Sequence, residues 1–258
     1  MAGHHSFSEH VPFRRTRPAP GPSRIGAMDP VAPTPPASTS SVAPFDLDTV
    51  DRLLSTTRAV RKRLDLDREV PRQVVVECLA LSVYAPNASN AQRWRWVLVE
   101  DPAHRATIGA WYRTHLSPPM QALLEQRRAD GDDAGVRHSE SVLHLGAIFD
   151  RVPVVAVVCV EGRIEDDPTL NGATWLLGSV YQAVWSFQLA LRSRGLGSTF
   201  TTAHVLFEAE LRALLGIPDT HSVVCMIPLA YTRGTDFAPA PRRPVDDITY
   251  VDHWGTHL

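Results

Sequence analysis

Four cationic side chains crowd into six consecutive residues: Arg58, Arg61, Lys62 and Arg63. Positive charges at this spacing repel one another, so a bound anion would relieve the repulsion. A guanidinium matches a phosphate well, because its parallel N–H donors pair with two oxygens at once. The segment is therefore a candidate phosphate site. An alternative stays open, because cations at a helix end also complement the helix dipole and can simply be solvated.

The polar segment 85–96, which ends in two tryptophans, is a second candidate. The short amide and hydroxyl side chains of Asn87, Ser89 and Asn90 offer paired hydrogen-bond donors and acceptors. Such a loop suits the edge of a heteroaromatic ring or a polyol. An equally good interpretation is a polar turn between a helix and a strand, with the tryptophans as core anchors.

A third candidate is the segment 195–202, whose sequence is GLGSTFTT. Hydroxyl groups and free backbone N–H groups after a glycine turn can line a planar ligand. The alternative interpretation is an ordinary strand, since threonine is common in β-sheets.

The composition excludes several classes of function. The chain has 258 residues, with 26 Lys and Arg against 28 Asp and Glu, which gives a formal charge of −2. Nucleic-acid-binding proteins usually carry a strongly basic face, so no nucleic-acid partner is expected. The three cysteines are odd in number and far apart. This usage indicates neither a disulfide framework nor a zinc site, and it is typical of the reducing cytoplasm, where we expect the protein to act.

No motif singles out a catalytic side chain or a metal site. The sequence has no phosphate-binding GxxxxGK[ST] loop, no HExxH pair and no GxSxG elbow. The glycines at 195 and 197 follow a predicted helix and lack a third glycine, so a Rossmann fingerprint is not supported. We therefore expect no metal ion and name no catalytic residue.

The elements that must position these segments begin near residue 45. Residues 1–44 contain nine of the 21 prolines and are expected to form a disordered tail, because they cannot bury enough apolar surface to fold. Residues 45–258 form the predicted domain. Periodicity predicts helices over about 47–57, 71–84, 102–116, 120–129, 136–149, 171–191 and 205–215, and strands near 94–100, 152–160, 197–201 and 222–230. This mixture has no repeating β-α-β order and indicates the α+β class.

The segment 171–191 contains no charged residue over 21 positions. That length reaches the threshold for a membrane-spanning helix. Polar residues occur on every side of the helix, however, which favours burial in a large core or between subunits. We therefore expect no membrane association, and we expect Gly195 to cap this helix at its C-terminus.

Taken in order, the three candidate segments resemble the FMN-dependent nitroreductase family over about residues 47–258. In that family an arginine motif at a helix end precedes an APS-x-x-N-x-Q-[PR]-W loop and a strand, and a long buried helix then ends in GLG. The chain closes with an Arg-Pro element, here Pro241–Val245. The resemblance implies a nitroreductase-like fold with a central mixed sheet flanked by helices, assembled as an intertwined homodimer.

The resemblance implies that arginines hold FMN. Arg58 and Arg61 match the positions that contact the phosphate and the ribityl and pyrimidine side, and Ala59 contributes backbone between them. Arg242 matches a second phosphate arginine. The sequence departs from the family pattern at Ala59, where serine is common, and at Arg63, where an aromatic residue is common.

Two further segments are implied to lie against the flavin ring. A loop contributed by the partner subunit consists of Pro86, Asn87, Ala88 and Asn90. A segment alongside the ring, where an N–H or hydroxyl points at flavin N5, consists of Phe200, Thr201 and Thr202.

The implied activity is NAD(P)H-dependent reduction of a small aromatic acceptor, such as a nitroaromatic or a quinone, by ping-pong hydride transfer through the flavin. Two alternatives remain. One is a flavin-binding storage or sensor protein without turnover. The other is a deiodinase-like or flavin-fragmenting enzyme of the same fold.

Overall fold

The computed structural model describes residues 44–258. The predicted disordered tail, residues 1–44, lies outside the described residues except for Pro44. The ordered elements are α1 (Leu47–Thr56), α2 (Arg72–Ser82), β1 (Trp94–Val99), α3 (Pro102–Ala129), α4 (Asp133–Ile148), β2 (Val154–Glu161), α5 (Leu170–Ser193), β3 (Leu196–Ser198), α6 (Glu208–Leu215) and β4 (His221–Tyr231). Helices and strands mix without a repeating unit, which confirms the α+β class.

The four strands form one sheet in the order β1-β2-β4-β3, and every neighbouring pair is antiparallel. The prediction of a mixed sheet is wrong for these strands. Between β1 and β2 the chain runs out along α3 and back along α4, so β2 starts from the end at which β1 finished. Parallel pairing within the described residues is limited to isolated bridges, one of which joins Ala59 to Ser198 at the β3 edge.

The strand β2 is buried on both faces of the sheet, as its unbroken β-branched sequence predicts. Side chains alternate along a strand, so successive residues enter two different hydrophobic clusters. Val158 packs against α2 and α5, where Phe187 is fully buried. Val157 packs in the opposite layer with Tyr112 of α3 and with α4 and α6. The sheet is thus a central layer between two layers of helices.

The helix α3 differs from the sequence prediction. Two helices were expected over 102–116 and 120–129, but α3 is continuous and carries Pro118 and Pro119 in its interior. Each proline removes a backbone donor and disfavours the helix locally. The helix nevertheless persists because it packs along α4, and tertiary packing outweighs local propensity. The two helices form a hairpin that covers one face of the sheet.

The chain after α5 also departs from prediction. Gly195 adopts a left-handed conformation, with φ +76, and ends α5 as expected. The strand predicted over 197–201 stops at Ser198. The next residue, Thr199, lies opposite Pro228 and donates to its carbonyl, but Pro228 has no N–H that could donate to Thr199 in turn, so the regular pairing ends. The single helix predicted over 205–215 is divided into a short 3-10 turn, Ala203–Leu206, and the helix α6.

The helix α5 carries no charge before Arg192 in its last turn, and it is buried on one side and exposed on the other. Val180 and Phe187 are in the core, whereas the residues Trp175, Tyr181 and Trp185 are each more than two-fifths exposed. Neither α5 nor any other helix between residues 44 and 258 has the length and apolar character needed to cross a membrane.

Candidate active site

The arginine segment, residues 58–63, is hydrogen-bonded to the edge of the sheet. The N–H of Val60 donates to the carbonyl of Ser198 at 2.9 Å, and Ala59 forms a parallel bridge to the same residue. Gly197 permits this approach, because a Cβ atom there would lie 2.9 Å from the side chain of Val60. The edge strand β3 therefore fixes the direction in which Arg58 and Arg61 leave the backbone.

Arg58, Ala59 and Arg61 line one open cavity, so the structure brings these three predicted residues together. The wall continues with Ser141 of α4 and with the segment 236–238, which follows β4. Loop, helix and C-terminal segment thus enclose a space whose donors are mainly guanidinium groups.

The charges in this cavity are unbalanced. Arg63 pairs with Asp236 at 2.6 Å, but neither Arg58 nor Arg61 forms an ion pair with any carboxylate of residues 44–258. Arg61 is half-buried, and burial lowers the pKa of its guanidinium. A partly desolvated cation is costly unless it is paired, so the arrangement favours an anionic ligand.

A second cavity adjoins the first and shares Arg61 with it. The predicted segment Phe200, Thr201 and Thr202 lines this space together with Tyr112 of α3. Backbone hydrogen bonds in both directions between Thr201 and Met226, at 3.0 and 2.9 Å, hold the segment against β4. The polar segment beside Arg61 is therefore rigidly placed, although it lies beyond the end of β3.

The second cavity is lined by apolar, hydroxyl and cationic groups, and no carboxylate is among its lining residues in the described chain. His138 of α4 lies at its edge, where burial first and then the charges of Arg61 and Arg127 lower the pKa of the imidazole. Burial raises the pKa of the Tyr112 phenol. Both groups are thus held neutral near pH 7, and the positive charge of the cavity comes from Arg61.

The polar loop before β1 lies at a different place in the chain. Asn87 and Ala88 line a third cavity with Trp175 and Ser179 of α5, and this cavity shares no lining residue with the other two. Pro86 and Asn90, also predicted, are exposed neighbours in the same loop. Within one chain, the loop and the arginines are therefore not brought together.

This loop is strained and held in place by hydrogen bonds. Ser89, Asn90 and Gln92 have φ values of 53, 50 and 49, a region that residues with a side chain rarely adopt. The N–H of Ala88 donates to Ser179 Oγ at 3.0 Å, and the N–H of Gln92 donates to Asn87 Oδ1 at 2.9 Å. Strain of this kind persists when surrounding contacts enforce it, and it is concentrated at functional sites.

Arg242 is not brought into any of the three cavities. Its side chain is exposed, and its guanidinium donates to the carbonyl of Pro241 at 2.9 Å. Its assignment as a second phosphate ligand stays a prediction.

The sequence reasoning missed several residues that line the two adjoining cavities. They are Tyr112, His138, Ser141 and Phe237. The first three lie on helices whose sequence pattern reports only which face is buried. Phe237 follows the last strand in a segment without regular structure, so no local pattern marks any of the four.

The sequence model of the Nitroreductase family matches residues 54–231. The chain belongs to the nitroreductase family. This match confirms the resemblance drawn from the three motifs, and the nitroreductase-like fold is confirmed with it.

Two characterised relatives are similar to this nitroreductase-family chain over most of their length. The NADH dehydrogenase of Thermus thermophilus is 27% identical over 203 residues, which cover 76% of this chain and 95% of the relative. The 4-nitrobenzoate reductase of a Nocardioides species is 27% identical over 229 residues, covering 74% and 88%.

Solved structures share the fold of this nitroreductase-family chain at low identity. Iodotyrosine deiodinase bound to FMN and 3-iodo-L-tyrosine has a TM-score of 0.59 and 20% identity, covering 80% of this chain and 99% of that one. The FMN-dependent nitroreductase of Mycobacterium smegmatis in complex with NADPH has a TM-score of 0.58 and 20% identity, covering 81% and 100%.

No group of three His, Cys, Asp or Glu side chains in the described part of this nitroreductase-family chain could hold a metal ion. The chemistry-bearing groups of its cavities are instead guanidinium, hydroxyl and imidazole groups.

Proposed function

We propose that the chain is an FMN-dependent NAD(P)H oxidoreductase that reduces nitroaromatics, quinones or similar electron-poor acceptors. The observation that carries this proposal is the pair of guanidinium groups, Arg58 and Arg61, that lack a carboxylate partner among residues 44–258. They lie in a cavity that continues past Arg61 to the hydroxyl-bearing segment 200–202.

The donor set of the two cavities fits FMN. Arg58 would hold the phosphate, for which a guanidinium is a matched partner. Ala59 adds no bulk beside it. Arg61, between the two cavities, would lie beside the ribityl and pyrimidine side. Thr201 and Thr202 would line the ring edge, and Phe200 adds apolar surface.

When bound, FMN would supply the hydride chemistry between NAD(P)H and an electron-poor acceptor that uses the same face in turn. The chain's own contribution is binding and electrostatics. Arg61 keeps its positive charge fixed by partial burial and by a long contact of 3.5 Å from its Nη1 to Ser141 Oγ. A fixed cation favours negative charge that develops beside it. No side chain need act as a proton donor, since water can supply protons in an open cavity.

We also propose that the working unit is an intertwined homodimer. The loop Pro86, Asn87, Ala88 and Asn90 would complete the flavin site of the partner subunit, because in its own chain it lines a separate cavity. The exposed aromatic side of α5, which consists of Trp175, Tyr181 and Trp185, would then be covered. Partly exposed aromatic residues on one helix are typical of a protein interface, where aromatic side chains are enriched.

Replacing Trp185 by glutamate is expected to convert the dimer to monomers, because the carboxylate would be buried without a partner at the interface. Light scattering at micromolar concentration measures this directly. The matched variant Trp185→Leu keeps the surface apolar and should remain dimeric. A wild-type chain that is monomeric under these conditions would contradict the proposed assembly.

The relatives favour one alternative reaction. Iodotyrosine deiodinase and a BluB-like flavoprotein from Clostridium difficile share the fold, and a 5,6-dimethylbenzimidazole synthase of Rhodospirillum rubrum is 28% identical. A deiodinase-like or flavin-fragmenting activity is therefore the second candidate. A storage or sensor protein without turnover is the candidate from another class.

The visible spectrum of the purified protein, taken before and after anaerobic mixing with NADPH or NADH, tests the proposal. Prompt bleaching of a bound flavin band, restored by a nitroaromatic or quinone, is the expected result. Persistent colour indicates a binding protein, and a flavin colour that does not return when air is then admitted indicates fragmentation. A colourless preparation that refuses FMN on reconstitution rejects the proposal.

A further inference from the structure

Two guanidinium groups lie over the ring of Phe237. The Cζ atom of Arg63 is 4.2 Å from the ring centroid, and that of Arg192 is 4.6 Å from it. Both distances are within the range of cation–π interaction. Arg63 belongs to the arginine segment and Arg192 to the last turn of α5, so two separate parts of the chain converge on one side chain that follows β4.

The backbone around Phe237 is fastened by the same two arginines. Arg63 donates to the carbonyl of Arg233 from Nε at 2.9 Å and from Nη2 at 2.7 Å. Arg192 Nη2 donates to the carbonyl of Thr235 at 3.1 Å. Gly234, with φ +75, leaves room for this, because a Cβ atom there would lie 2.5 Å from Arg63 Nη2. The segment 233–237 is thus fixed on two sides.

This segment forms one wall of the cavity that contains Arg58. Phe237 and Ala238 line that cavity, and Arg58 Nη1 lies 3.4 Å from the carbonyl oxygen of Ala238. That contact is the one hydrogen bond of the Arg58 side chain within the described chain. The orientation of Arg58 therefore depends on where the backbone at residue 238 is held.

The same arrangement decides which charges remain available. Asp236 neutralises Arg63, whose Nη2 donates to its Oδ1 at 2.6 Å. Arg192 is engaged by the aromatic ring and by backbone and hydroxyl oxygens. In the described chain Arg58 has neither a carboxylate nor an aromatic partner, so it is the guanidinium left to meet a ligand at this wall.

We propose that Phe237, held by Arg63 and Arg192, is a positioning residue that orients Arg58 toward the phosphate of the ligand. This rests on the proposed binding of FMN. The consequence is selectivity. The stack, which consists of Phe237 between the guanidinium groups of Arg63 and Arg192, makes the site prefer FMN over riboflavin, which has the same ring and ribityl chain but no phosphate.

The test compares the dissociation constants of FMN and riboflavin, measured by quenching of flavin fluorescence with the full-length apoprotein. For Phe237→Leu we expect FMN binding to weaken roughly tenfold and riboflavin binding to change less than about twofold, since the stack's cation–π contacts are lost. Phe237→Tyr keeps the aromatic face and should bind FMN as the wild type does.

Arg58→Ala should show the same selective loss of FMN affinity. Adding Phe237→Leu to it should weaken FMN binding by less than about twofold more, because residues that act through one another are not additive. Arg192→Met, outside the cavity, should give a smaller selective loss, and it serves where the leucine variant fails to fold.

The outcomes separate the two proposals. Suppose that the wild type binds both flavins. If Phe237→Leu then weakens the binding of FMN and of riboflavin equally, or changes neither affinity, the positioning role is overturned and the proposed function stands. Full additivity of Phe237→Leu with Arg58→Ala also overturns it. If the wild type binds neither flavin, the proposed function fails, and the positioning role fails with it.

Discussion

Replacing Arg61 by alanine is expected to lower the midpoint potential of the bound flavin and to weaken its retention. Arg61 is half-buried and has no carboxylate partner in the described chain, so its charge is free to stabilise the negative charge that reduction adds to the flavin. A charge-assisted contact is worth ~1.5–3 kcal/mol. For a two-electron couple this corresponds to a shift of roughly 30–60 mV.

An anaerobic dye-linked titration measures the potential, and ultrafiltration measures the flavin retained. Arg61→Lys keeps the positive charge and should recover most of the potential. Arg72→Ala is a matched control, because Arg72 is an exposed arginine paired with Glu100 that lines neither cavity of the site. A potential equal to that of the wild type in Arg61→Ala would reject the electrostatic role.

Gly197→Val is expected to destabilise the fold by ~1–3 kcal/mol and to abolish tight FMN binding. A Cβ atom at this position would lie 2.7 Å from Thr232 Cγ2 and 2.9 Å from Val60 Cβ and Cγ1. The valine would therefore push the arginine segment away from β3 and break the bond from Val60 to Ser198. Because the same contact directs Arg58, the binding loss should exceed what the change in stability explains.

Urea unfolding and flavin titration of the same preparations separate these two effects. Gly195→Ala is the matched control, since its left-handed φ of +76 strains an alanine while no atom crowds the added methyl within 4 Å. It should lose stability by about 1 kcal/mol and keep its FMN affinity. Unchanged FMN affinity in Gly197→Val would contradict the role given to β3.

Local patterns predicted the elements whose stability is local. The continuous apolar run of β2 and the glycine after α5 each carry their own signal, and both are confirmed. Where contacts with a distant part of the chain determine the structure, the predictions from local sequence were wrong. Two separate helices were predicted over 102–116 and 120–129, but packing against α4 keeps α3 continuous through Pro118 and Pro119. The direction of strand pairing likewise depended on the α3–α4 hairpin.

The residues of the candidate site likewise divide into those that local sequence can predict and those that it cannot. Arg58 and Arg61 could be found because like charges at close spacing need an explanation, and Thr201 because hydroxyls follow a glycine turn. Phe237 could not, since the role proposed for it depends on Arg192 and Arg63, which precede it by 45 and 174 positions in the sequence. Such a convergence has no signature in any window of neighbouring residues.

The helix α5 fixes the distance between two parts of the candidate site. Its Ser179 holds the strained loop through Ala88, and its last turn carries Arg192 and leads through Gly195 into β3. At about 1.5 Å per residue, roughly 20 Å of rigid rod separates these two attachment points. One residue inserted or deleted between them would rotate one end by about 100° relative to the other. A change in chain length between Ser179 and Arg192 is therefore expected to misalign the two attachment points, which makes the spacing of α5 a signature to seek in other sequences.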